Sequence, residues 1–112
     1  MPKSSTHAYS RYSLDALELM GNLIRESRVA ANLTAEALAQ RAGISRSLLH
    51  RIEKGDAGCT IGAVFEIAAI LGIQLFDLDA KNLAMRLSYS TEKQALLPKA
   101  VRSSKKVVKD DF

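Results

Sequence analysis

The stretch TAEALAQRAGISRSLLHRIEKG, running from Thr34 to Gly55, leaves the chain few local structures to choose from. Thr34 and Ser45 each stand directly before an amphipathic run, where a hydroxyl oxygen accepts from the N–H groups that a helix leaves open at its start. Leu38, Ala39 and Ala42 form one apolar face of the first run, and Gly43 breaks it. In the second run Leu48 or Leu49 and Ile52 point inward, Arg46, Ser47, His50, Arg51 and Lys54 are left for solvent or a ligand, and Gly55 ends the run. Ala39 is small where the two runs approach, and Ile44 plugs the corner between them.

Similar signals divide the rest of the chain. Residues 1–12 lack periodicity and read as a flexible arm in which Lys3 and Arg11 are placed to touch phosphates. From Ser13, a candidate cap, Leu17, Met20, Ile24 and Ala31 recur at helical spacing, and Asn32 suits the left-handed residue that closes a helix. Thr60 is positioned to cap a further helix with Ile61, Val64, Phe65, Ala68 and Leu71 on a broad apolar face, which Gly72 ends. The segment IQLFDL, residues 73–78, fits either a short alternating strand or the entry to a fifth helix, and periodicity does not choose between them. Residues 79–97 read as helix with Leu83, Ala84, Leu87 and Leu96 on a stripe until Pro98, and residues 99–112 read as a basic flexible tail. The expected fold is all-α, a compact domain of four or five helices, with a DNA-binding domain over residues 13–75 and a dimerisation helix over 76–98.

Two helices joined by a tight turn, the second carrying outward Arg and Ser residues, make a helix-turn-helix over residues 34–54. Such a motif lays its second helix in the major groove of DNA while the first crosses the backbone. The net charge of +4 agrees with an anionic partner, although charge alone does not separate DNA from RNA or anionic lipid. Aromatic residues make up only 5% of the chain and Trp is absent, so Leu, Ile, Val and Ala must build the core, as in packed helices.

The segments IRESRVAANLTAEALAQRAGISRSLLHRIEKG and TIGAVFEIAAILGI resemble the Cro/C1-type (XRE) family of helix-turn-helix regulators, a likeness covering roughly residues 23–75. The resemblance implies a lambda-repressor-like domain in which Arg46, Ser47, His50 and Arg51 read bases. Thr34, Gln40, Ser45 and Lys54 would meet phosphates. It also implies an ion pair between Arg28 and Glu53. Arg presents parallel donors that match guanine O6 and N7, so Arg46 and Arg51 are the expected specificity residues. The chain departs from the family where Ala35 replaces a frequent Gln that fixes the first motif helix to a phosphate, and where Ser27 replaces a favoured Leu.

One recognition helix reads too few base pairs for useful specificity, so a homodimer on operator DNA is expected. Ile73, Leu75, Leu83 and Leu87 are the dimerisation candidates, the first two as a short strand paired with its twin. LGIQLFDLDAKN resembles the corresponding stretch of HipB-type antitoxins, and ALLPKAVRSSKKVVKDDF is similar to the ends of small regulators paired with HipA-like kinases. That likeness implies an antitoxin that represses its own operon and binds a HipA-like serine/threonine kinase toxin. The alternative is a stand-alone repressor, and a more remote one is an RNA or membrane-surface adaptor.

Other chemistries find little support. Cys59 is the only cysteine, which precludes an internal disulfide, fits a reducing, cytoplasmic and nucleoid-associated setting, and leaves a thiol with no neighbouring catalytic base. His7 and His50 have no ligand cluster around them, so no metal or other cofactor is expected. GDAGCTIG lacks the Lys-Ser/Thr that completes a phosphate-cradling loop. No apolar run is long enough to span a membrane, and the chain is read as a non-enzyme.

Overall fold

The computed structural model describes residues 8–101 and 103. The helices are α1 (Arg11–Ala30), α2 (Ala35–Ala42), α3 (Arg46–Glu53), α4 (Ile61–Leu71) and α5 (Ala80–Leu96), giving the all-α architecture expected from the sequence. They fall into two compact units, Met1–Asp77 and Leu78–Phe112.

In the first unit α3 packs against α1 and α2, and α4 packs against the same two helices. Ile24, Leu38, Ala39, Leu49, Ile52 and Ile67 form the core, with Met20, Leu33, Ile44, Val64 and Ile73 among the residues packed around it. Each of the four helices ends in the same way. Asn32, Gly43, Gly55 and Gly72 take positive φ of 63°, 71°, 78° and 78°. The next N–H then reaches back five residues: Leu33 to Arg28 O, Ile44 to Ala39 O, Asp56 to Arg51 O, and Ile73 to Ala68 O. This Schellman closure satisfies carbonyls that a helix end would otherwise leave open, and it normally carries an apolar residue just past the left-handed position. Leu33, Ile44 and Ile73 fill that role and pack on the core. At the end of α3 the residue is Asp56 instead.

Several boundaries differ from the sequence reading. Ser10, rather than Ser13, caps α1, its hydroxyl oxygen accepting from Ser13 N–H at 3.1 Å, so Arg11 and Tyr12 are helical and not part of an arm. Ala31 lies past the end of α1 and is exposed. Thr60 occupies the cap position of α4, but its side chain makes no capping hydrogen bond. The buried face of α4 is centred on Ile67 and Ala68, whereas Ile61 is 68% exposed. A helix that is apolar nearly all round gives no periodic contrast from which to fix its phase.

Residues 73–78 form neither a continuous strand nor a helix entry. Phe76 and Asp77 take φ of 55° and 60°, the double left-handed step that a type I′ turn requires, and Leu75 and Leu78 occupy isolated bridge positions on either side. Within its own unit, the Phe76 ring meets Phe65 edge to face, with centroids 6.3 Å apart. Ile73 is committed to the core. In the second unit Asp79 caps α5 by accepting from Asn82 N–H at 2.8 Å. None of the residues of α5 is buried; Leu83 is half-buried and Leu87 is exposed. Most of the basic tail and the residues of the arm up to His7 lie outside the described residues.

Candidate nucleic-acid interface

The motif is held by local chemistry at each end. Thr34 Oγ1 accepts from Ala37 N–H at 3.0 Å to start α2, and Ser45 Oγ accepts from Leu48 N–H at 3.0 Å to start α3. Both hydroxyls accept in these bonds, so each retains its O–H as a donor for a phosphate oxygen. Between the helices Gly43 turns the chain at φ 71°, ψ 30°, which L residues with a Cβ adopt at a cost.

The inner face of α3 is Leu49, fully buried, and Ile52, 4% exposed. Its outer residues Arg46, Ser47, His50 and Arg51 are all exposed, as are Gln40 on α2 and Lys54 at the helix end. Arg46, Ser47 and His50 line a shallow groove together with Ala35. The small Ala35 side chain therefore borders the outer face where a longer residue would project across it. His50 also borders a second groove, with Glu18, Asn22 and Arg25 of α1 on its far wall. Arg46, Ser47 and His50 thus share an accessible groove with Ala35 of α2, and His50 reaches toward polar groups of α1, while Arg51 is exposed but lines neither groove.

The C-terminal end of α3 is fastened to α1. Arg28 donates from Nε to Glu53 Oε2 at 2.7 Å and from Nη2 to Oε1 at 3.2 Å, and its Nη1 donates to the Leu33 carbonyl at 3.0 Å. The side chains are 14% and 10% exposed, a bidentate pair just beneath the surface. Gly21 is buried where the helices cross, and a Cβ there would stand 2.6 Å from the Glu53 carbonyl oxygen and 2.8 Å from that of Ile52. Sequence reasoning passed over Gly21, although an isolated Gly in the middle of an otherwise helical pattern is itself a sign of close backbone approach.

Among the described residues, Arg51 is the outward α3 residue whose side chain has a hydrogen-bond partner. Its Nε donates to Asp56 Oδ2 at 2.8 Å, and Asp56 Oδ1 accepts from Gly58 N–H at 2.7 Å. The hydrogen bond from Arg51, together with that from the Gly58 backbone, holds the Asp56 carboxyl below its ordinary pKa. A group depressed in this way contributes its pairing at neutral pH and loses it only as pH falls through the lowered value. Asp56 and Gly58 were also missed in the sequence. Nearby Cys59 is half-buried, and burial raises its pKa, with the opposing pull of Arg51 the smaller effect. That is the opposite of the activated thiolate a nucleophile needs. Among the described residues no group of three or more His, Cys, Asp or Glu side chains could hold a metal ion, and no helix is long and apolar enough to cross a membrane.

With this geometry established, comparison with known proteins identifies the scaffold. Residues 19–80 match the family model described as a helix-turn-helix domain. The chain is also 36% identical over 59 residues to an uncharacterized HTH-type transcriptional regulator of Methanocaldococcus jannaschii, an alignment covering 53% of this chain and 89% of that protein. The matched region runs from within α1 through the whole of α2, α3 and α4, so it contains the cap, turn, core and outer face described above, and the chain belongs to the helix-turn-helix domain family.

Proposed function

We propose that the chain is a sequence-specific DNA-binding transcriptional regulator that acts by placing α3 in the major groove of an operator. The observation that carries this reading is the two-sidedness of α3: Leu49 and Ile52 are buried, while Arg46, Ser47, His50 and Arg51 stand exposed on the other side. Arg46 has no hydrogen-bond or ion-pair partner among the described residues, so its guanidinium fork is open to a guanine edge. The Thr34 and Ser45 hydroxyls, Gln40 and Lys54 are assigned to the phosphates that set the register. The name of the archaeal relative supports a regulatory role.

The working form is proposed to be a homodimer. No residue of α5 is buried, and Leu83 and Leu87, four apart, lie on one face of the helix with Leu87 64% exposed, so α5 carries apolar surface for a second copy to cover. Leu83 and Leu87, with Leu75 nearby in sequence, remain the proposed contacts, and Ile73 drops out because it serves the core.

Selection of duplexes from a randomised library by the full-length chain tests both points. The expected product is a site of two half-sites, and Arg46→Ala should weaken binding to it by about 1–3 kcal/mol while relaxing base preference at one position per half-site. Binding to scrambled duplex should change less. Recovery of no preferred sequence, or an unchanged preference in Arg46→Ala, would rule out this assignment of α3.

A stand-alone regulator is the reading the family and the relative favour. The narrower role, antitoxin of a HipA-like kinase, rests on the resemblance of the segments after α4 alone. Co-purification of a kinase with the full-length chain from its native cell is the measurement that would sustain it.

A further inference from the structure

Asp56 breaks a pattern that the first unit otherwise keeps. Past the left-handed residues closing α1, α2 and α4, the chain places Leu33, Ile44 and Ile73 against the core. Past Gly55, at the end of α3, the same position holds a carboxylate that turns outward to Arg51. The contact that fastens a helix end by apolar packing is here an ion pair with a residue on the outer face of the recognition helix.

The pair is fixed from several directions. Asp56 N–H donates to the Arg51 carbonyl at 3.0 Å, while the Asp56 carboxylate receives Arg51 Nε on one oxygen and Gly58 N–H on the other. The absence of a side chain at Gly58 makes room for the guanidinium, since a Cβ there would lie 3.1 Å from Arg51 Nη2 and 3.3 Å from Asp56 Oδ1. Arg51 Nε is thereby occupied, and its Nη1 and Nη2 groups have no partner among the described residues. The terminal Nη1/Nη2 edge is a two-donor fork, the shape that matches guanine O6 and N7.

From this we infer that Asp56 is a specificity-determining positioning residue: it orients Arg51 so that the guanidinium presents its terminal fork to a base edge instead of wandering to the nearest phosphate. The inference rests on the reading of α3 as the DNA-contacting helix. Its physical basis is twofold. A free Arg side chain surrenders much rotamer freedom when it docks, and a side chain already held by a carboxylate has less to surrender. A carboxylate beside the DNA also repels the phosphates of any duplex, so it lowers affinity for matched and scrambled sequences alike and leaves their ratio to the orientation of Arg51.

Those two effects give a signature that simple loop scaffolding lacks. The readout is the ratio of affinities for the duplex selected by the full-length wild type and for a scrambled duplex, measured for D56N, D56A, R51A, G58A and R51A/D56A, with melting curves to confirm folding. D56N preserves an oxygen that can accept from Gly58 N–H but removes the charge that holds Arg51. It is expected to cut the ratio about tenfold, with scrambled-duplex affinity equal to or above that of wild type. D56A should match it, G58A should fall in the same direction, and D56A should do nothing further in the R51A background. A wild-type ratio in D56N, or equal losses from D56A with and without Arg51, would overturn the inference and leave Asp56 as a loop residue. If the wild type selects no duplex at all, the DNA-binding reading fails and takes the inference with it.

Discussion

Glu53→Ala alone is expected to lower the stability of the first unit by about 3 kcal/mol, while joint replacement of the pair, Arg28→Met with Glu53→Leu, should cost far less. The reason is the fate of the surviving charge. Arg28 is 14% exposed and directs two of its donors at the Glu53 carboxylate, so the single change leaves a guanidinium in place without its counter-ion. The Arg28 change alone is expected to be at least as harmful, because Nη1 also serves the Leu33 carbonyl at the close of α1. Replacing both partners by apolar groups removes the uncompensated charge, and only that carbonyl is left to find water. Urea denaturation of the four members of the cycle gives the coupling directly. Additive losses from the two single changes would show that the bidentate geometry contributes nothing.

The second large effect is expected at Gly21. Alanine is a better helix former than glycine by about 1 kcal/mol, so propensity alone says that Gly21→Ala should stabilise α1. The crossing with α3 says otherwise, since the new Cβ would meet backbone oxygens of Ile52 and Glu53 inside 3.0 Å, and neither can swing aside as a side-chain tip would. The helices must part, loosening Ile24 and Ile52 in the core they share. A net loss of about 3 kcal/mol is expected, larger for Gly21→Val, with the Arg28–Glu53 pair strained at the same time. Thermal unfolding tests the sign. A melting temperature at or above that of the wild type would mean that the crossing yields at little cost.

How far the sequence disclosed this arrangement depended on the range of the interaction concerned. Thr34, Ser45, Asn32 and Gly43 were readable because a cap or a left-handed residue is specified within a few positions of chain. Ser10 displaced Ser13 as the cap of α1 because both serines offer the same oxygen, and no periodic signal separates them. On α4 the inward placement of Val64, Ala68 and Leu71 was readable, but Ile61 was included and Ile67 left out because apolar residues lie nearly all round the helix, so that packing against α1 and α2 decides which of them turns inward. The outer residues of α3 could be named from pattern and family likeness. That Asp56 would seize one of them could not, since the contact needs the folded end of α3 before it exists.

Phe76 and Asp77 bear on how proteins of this kind diversify. Two successive left-handed residues, one of them a bulky aromatic, cost about 1–2 kcal/mol each relative to ordinary backbone, and no α-helix can run through them. The first compact unit ends at Asp77, and the family model extends only to residue 80. The stretch matched by the family model thus stops just past this turn, at the first residue of α5. Because no helix can continue through the turn, a substitution or change of length within α5 cannot be transmitted to α4 as helical register, and that independence of register leaves room for divergence.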